Sequence, residues 1–225
     1  MKVLKVLTVF LFFLLITASS TITVLSAQIS WSNASGGNWS TGSNWTGGVV
    51  PGAADTALIT LDGTYSVTLD ADTTVAGLTL GGASGIQTLS LSSRTMNVNG
   101  YLTVNTNGVL SLSYSTIGGT SIIDNAGLIT VQGVCNLNGT LTTQTSSILR
   151  LAYTSAQGSD LILTNGFTNN GLIDLVNTYY SRSAIIRSTN GPLVNSSTGT
   201  IDANSPTGGQ GIYAEFDNQG TLNIG

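Results

Sequence analysis

Residues 167–175 read Phe-Thr-Asn-Asn-Gly-Leu-Ile-Asp-Leu, and the same phrase returns along the chain. Phe216 precedes Asp217-Asn-Gln-Gly-Thr-Leu-Asn-Ile224, and Ile123 precedes Asp124-Asn-Ala-Gly-Leu-Ile-Thr-Val131. Looser copies start at Gly100, Gly108, Gly139 and Gly199, each followed by x-[Leu/Ile]-x. In chemical terms each copy is an apolar residue, a polar pair, a glycine and an alternating strand. Glycine after a polar residue is expected to take positive φ and turn the chain. Alternation then puts Ile173 and Leu175, or Leu222 and Ile224, on one buried face. A single strand of this kind cannot bury that face alone, so repeated copies must stack on one another. The motif glycines are 8, 19, 12, 32, 28 and 21 residues apart, which excludes a repeat of fixed length. It fits an all-β solenoid whose turns differ in length, because insertions are absorbed in loops. The alternative is an antiparallel β-sandwich, since the chain holds six Asn-Gly dipeptides and Asn-Gly is a strong hairpin signal.

Met1–Ala27 stands apart: Lys2 and Lys5, an apolar run over 6–16, then small polar residues leading to Ser26-Ala27. That layout reads as a secretory leader, cleaved after Ser26 or Ala27. Its apolar run is short of the roughly 20 residues of a spanning helix. Without the two lysines the chain carries four arginines against ten acids, a formal charge of −6. A weakly acidic, lysine-free surface argues against nucleic acid and anionic membranes as partners. Charged residues make up only 7% of the chain, whereas 41% are hydrophobic and recur with strand periodicity, so the chain folds. Its surface must then be Thr, Ser, Asn and Gly, with almost no helix. Cys135 has no disulfide partner in the chain, and without any histidine to polarise it, it reads as a small buried residue.

Residues 28–60 differ in composition from the remainder of the chain. Trp31, Trp39 and Trp45, the only tryptophans, are spaced by Gly, Ser and Asn, and Pro51-Gly52 marks a turn. Three indoles on a polar segment could stack on sugar rings; the alternative is a cap over the first core layer. The repeats run from 61 to 225, with first coils over 64–69, 75–80 and 86–91. Asp62, Asp70 and Asp72 could hold calcium, but Asp at a strand end also accepts from backbone amides, and no calcium repeat motif accompanies them. Tyr153, Tyr179, Tyr180, Arg182 and Arg187 form an aromatic and basic cluster able to meet an acidic glycan. The five sequons at Asn33, Asn38, Asn44, Asn138 and Asn195 are what chance provides in a chain this rich in Asn, Ser and Thr.

The opening, Gly-Asn-Trp-Ser at 37–40, Asn-Trp-Thr-Gly-Gly at 44–48, Val-Pro-Gly at 50–52, Asp55 and Val67-Thr-Leu-Asp70, resembles that of autotransporter-type β-helix passengers of bacteria. The Phe-x-Asn-x-Gly-x-[Ile/Leu] phrase resembles the repeats of filamentous-haemagglutinin-like adhesins. The resemblance covers most of residues 31–225 and implies a right-handed parallel β-helix on a cell surface or secreted. It transfers no functional residue, because the matched positions are structural.

The expected role is a non-enzymatic structural or adhesive module, a repeat stalk meeting glycans or other surface proteins, with no cofactor, no metal and no membrane insertion of the mature segment. A carbohydrate-active β-helix enzyme is the alternative, but glycosidic cleavage usually needs paired carboxylates, and the ten acids are scattered. Without histidine, triads and histidine-based zinc sites are excluded. An ice-binding or coat solenoid would need Thr-x-Thr recurring on one face, which the sequence does not show. Since Gly225 comes directly after a strand of the motif, the solenoid is expected to continue beyond it.

Overall fold

A computed structural model describes residues 26–153, 158–177, 182–205 and 207–225. Most of the expected leader, and Tyr179 and Tyr180, lie outside the described residues. The chain is 60% strand and 3% helix, wound as a β-solenoid of about 7 turns. Among the described strands every pairing is parallel, and the one antiparallel contact is an isolated bridge between Trp31 and Trp45. Parallel stacking, not a hairpin sandwich, is therefore the architecture.

The alternation read from sequence sets the interior. On one face Val67 pairs with Leu89, and the column continues through Leu110, Ile129, Leu149, Ile173, Ile201 and Leu222. Successive steps in this column are 22, 21, 19, 20, 24, 28 and 21 residues, so coil length varies while register is kept. Two residues on, Leu69, Leu91, Leu112, Val131, Leu151 and Leu175 form a second buried column. A second face, opened by Gln28–Ser30 and Thr56–Ile59, adds Ala57, Leu78, Leu102, Ile123 and Leu141. Each Val, Leu or Ile of these columns, fully buried, contributes about 1.5–3 kcal/mol. The first stacked strand among the described residues is Gln28–Ser30, paired with Thr56–Ile59.

The third face starts with Thr73–Val75, Thr95–Val98 and Thr116–Gly118. It passes into the second half of Leu128–Leu137, then Ser159–Asn169 and Ser183–Asn195. The corner leading into it is left-handed: Ser93 has φ 53°, Tyr114 φ 49° and Gly133 φ 68°, one above another. Ser93 N–H donates to Ser113 O at 2.9 Å and Tyr114 N–H to Gln132 O at 3.1 Å, tying these corners together.

The motif glycines do not use positive φ, contrary to the sequence expectation; Gly127, Gly171 and Gly220 are all absent from the left-handed region. Their requirement is space. A methyl at Gly171 would run into the Ser147 and Gln144 carbonyl oxygens, and one at Gly127 into those of Asn105 and Gly108. Coils are about 4.8 Å apart, and at this corner backbone lies directly on backbone. Five of the six Asn-Gly pairs place their glycine against backbone in this way, at Gly100, Gly108, Gly139, Gly166 and Gly171, while Gly191 is left-handed, and none makes a hairpin among the described strands. Gly171→Ala is expected to cost about 1–3 kcal/mol through overpacking. Gly52→Ala, where a methyl meets only Asp55 Oδ2 at 3.6 Å, is expected to be near neutral. Urea midpoints of the two variants decide; equal shifts would contradict the close-approach account.

Candidate functional site

The tryptophans lie inside the N-terminal layer. Trp31, Trp39 and Trp45 are each 2% exposed and share the apolar cluster of Ile59, Val67 and Leu69. Trp31 meets Trp45 edge-on with centroids 5.0 Å apart, and Trp39 meets Trp45 at 4.7 Å, the favoured geometry for aromatic pairs. Trp45 Nε1–H donates to Trp39 O at 2.7 Å, and Trp31 Nε1–H to Asn33 O at 2.6 Å. As folded, these rings face one another and the first coil, so a sugar could stack on them only after the cluster opened. The sequon amides of Asn44 and Asn195 are buried as well.

The carboxylates considered for calcium each accept from a backbone amide. Asp62 Oδ1 accepts from Ser84 N–H at 2.9 Å, and Asp72 Oδ1 from Thr95 N–H at 2.9 Å, each one coil away. Asp70 accepts from Ser40 N–H at 3.0 Å and from Ser40 Oγ–H at 2.5 Å, fastening the tryptophan layer to the first coil. No group of three or more acids or Cys suited to a metal occurs among the described residues. Arg150 and Asp174, neighbours in register, pair at 2.7 Å. Arg187 Nε lies 2.9 Å from both oxygens of Asp160, while its guanidinium sits 4.6 Å from the Tyr213 ring centroid. Arg187 is thus engaged on both sides, which the sequence cluster does not foresee. Cys135 is buried, and that burial pushes its thiol up from the ordinary value.

A second internal device escapes the sequence reading. The buried column Ile59, Leu80, Val104 becomes polar at Asn125 and Thr143; buried Asn169 and Asn195 continue it, and exposed Asn218 ends it. Asn169 Nδ2–H donates to Asn195 Oδ1 at 2.9 Å, and Asn195 Nδ2–H to Asn218 Oδ1 at 2.8 Å. Asn195 Nδ2 also reaches Thr221 O at 3.0 Å, and Asn125 Oδ1 accepts from Gly127 N–H at 3.1 Å. A signal is present, since Asn stands two residues before the motif glycine at 125, 169 and 218.

Several concavities open on the surface, and two of them are lined by large apolar side chains. One, of about 220 Å³, lies at the last coil among Leu175, Ile201, Ile212, Phe216 and Leu222, where Ile224 is 75% exposed. The other, of about 280 Å³, lies on the outer wall between Tyr114, Val134, Asp160, Arg182, Ser183 and Ile185. Val134, Asp160 and Ile185 are partners in consecutive coils, with Tyr114 one coil before Val134. The sequence places Arg182 in an aromatic cluster but gives Tyr114 and Asp160 no role.

No protein-family model, curated protein or solved structure matches the chain.

These contacts have two measurable outcomes. Chiefly the Ser40 hydroxyl, with the Ser40 amide, holds the Asp70 carboxyl below its ordinary value. A depressed folded-state pKa adds stability above the unfolded value, about 3.9, that is lost as pH falls through the folded one. Tryptophan fluorescence, which reports only this layer, is expected to show it loosening below about pH 4, and Asp70→Asn is expected to flatten that dependence. An acid titration identical in both proteins would refute the link. Asn195→Leu removes the side-chain acceptor of buried Asn169 and the donor to Asn218, and is expected to cost about 1–3 kcal/mol; denaturant unfolding measures it, and a neutral substitution would show that the amide column carries no stability.

Proposed function

We propose that the chain is a non-enzymatic extracellular module of a bacterial surface or secreted protein, a stiff repeat stalk whose outer wall and loops meet glycans, matrix or neighbouring cells. The observation that carries this reading is how the acids are used. Nine of the ten have their own hydrogen-bond partner. Six of these nine, Asp62, Asp70, Asp72, Asp124, Asp160 and Asp174, join one coil to another. Carboxylates committed singly to stacking support a scaffold. Paired carboxylates facing one cleft would have supported glycosidase chemistry. About 7 coils at roughly 4.8 Å each give a shaft on the order of 34 Å. The leader-like Met1–Ala27 supports export, and the Ser, Thr, Asn and Gly surface suits an exterior setting.

The test has two readouts. Exported protein is expected to begin at Ala27 or Gln28 by N-terminal sequencing; an intact Met1 on the folded product would overturn export. Incubated with neutral and uronate polysaccharides, the purified chain is expected to release no reducing ends. Sustained release would replace the scaffold with the carbohydrate-active enzyme.

A further inference from the structure

The six Asn-Gly pairs carry a chemistry that neither coil stacking nor the scaffold reading uses. The nitrogen of a glycine can attack Cγ of the asparagine before it, because the glycine has no Cβ to block the approach. The attack needs a side-chain amide free to turn, a glycine N–H without an acceptor, and a main chain outside a strand ladder. Five of the pairs lack at least one of these. Asn107 Nδ2–H donates to Gly82 O at 3.0 Å, and Gly108 N–H to Asn105 O at 2.8 Å. Asn138 Oδ1 accepts from Thr164 Oγ–H at 3.3 Å, and Asn170 Nδ2–H donates to Thr143 O at 2.8 Å. Asn165 and Asn190 are register partners inside the strands Ser159–Asn169 and Ser183–Asn195, and Asn190 Nδ2–H also donates to Thr164 O at 3.0 Å. Strand residues react only when the ladder opens locally.

Asn99-Gly100 meets all three conditions. The pair forms a two-residue bend between the strands Thr95–Val98 and Tyr101–Val104. Asn99 is exposed, and its side-chain amide makes no hydrogen bond among the described residues. The Gly100 N–H likewise has no acceptor among them. What is held is the surrounding main chain: Asn99 N–H donates to Val75 O at 3.1 Å, and Ile122 N–H to Gly100 O at 3.0 Å. Thr120 Oγ–H donates to Asn99 O at 3.1 Å. That carbonyl belongs to the same peptide unit as the Gly100 nitrogen, so the bond draws electron density from the N–H and eases loss of its proton.

We propose that Asn99-Gly100 is a self-modification site, at which the folded chain converts asparagine to aspartate and isoaspartate. Gly100 N bonds to Asn99 Cγ and gives up its proton, while the Cγ–Nδ2 bond breaks and ammonia leaves, which closes a five-membered imide ring. Water then opens the ring. Addition at Cγ yields aspartate on the ordinary main chain; addition at the Asn99 carbonyl carbon yields isoaspartate, whose main chain runs through the former side chain. Water is the only co-reactant, and no electrons are exchanged. Either product adds a carboxylate to a chain in which only 7% of residues are charged. The isoaspartyl form also lengthens the main chain at a corner where a methyl on Gly100 would stand 2.7 Å from Ala76 O of the coil before. This chemistry is independent of the scaffold reading.

The purified chain, aged in mildly alkaline buffer both folded and in concentrated urea, tests it. Peptide mapping by mass spectrometry follows amide-to-acid conversion at each Asn-Gly pair, and enzymatic methylation of isoaspartate identifies the rearranged product. In the folded chain Asn99 is expected to convert at least tenfold faster than each of the other five asparagines, and within a few-fold of its own rate in urea. Asn99→Gln keeps an amide but would have to close a larger ring, and is expected to remove most of the ammonia that the folded chain releases. If that substitution lowers the melting temperature, the map of the unsubstituted chain decides alone. Faster conversion at another pair, equal rates at all six in the folded chain, or ammonia release unchanged by Asn99→Gln overturns the site.

Discussion

Everything in this molecule depends on one coil lying about 4.8 Å above the last, parallel and in register. That spacing lets Val67, Leu89, Leu110 and Ile129 stand in a single file, each covering the next, so no coil buries its apolar face by itself. It also excludes side chains where backbones cross, which is why glycine recurs at Gly108, Gly127, Gly171, Gly199 and Gly220. The same constraint explains the low charge. Identical positions repeat up the wall, and rows of like charges would repel one another, whereas Thr, Ser and Asn tolerate repetition.

The few charged groups are consequently placed where they link coils. Asp62 and Asp72 each seize an amide one coil away, Asp70 ties down the tryptophan layer, and Arg150–Asp174 and Arg187–Asp160 cross between coils. Such exposed pairs add little individually, and their main effect is to hold neighbouring coils in register. The outer wall becomes irregular at the left-handed corner, where Ser93 and Gly133 flank an aromatic residue, and there the surface acquires a groove.

Much of the fold was legible because alternation and the glycine phrase are both local. Ile173 and Leu175 point inward as their spacing requires, and the first coils fall where the apolar residues placed them. What escaped was non-local. The partners of Arg150 and Asp72 lie 24 and 23 residues away, distances set by coil circumference and invisible to any window on the sequence. The Asn-Gly pairs misled for a related reason, since the dipeptide carries the same local preference at a corner as in a hairpin. Tyr114 gave no warning, because an aromatic residue in a left-handed position is recognisable only once Gly133 is seen beneath it.

The change from aliphatic to amide side chains along one interior file has a mechanical meaning. Between Ile59 and Val104 the coils are located by greasy contact, which is non-directional and forgiving of sliding. From Asn125 onward the rungs are indexed by directional bonds between coils, from Asn125 Nδ2–H to Ile148 O, from Thr143 Oγ–H to Thr168 O, and along Asn169, Asn195 and Asn218, like a detent in a ratchet. The longest coils, with steps of 24 and 28 residues, fall in this second half. A stack indexed at one corner can swell elsewhere on its circumference without losing count, so the second half is where new loops can be grafted onto the shaft.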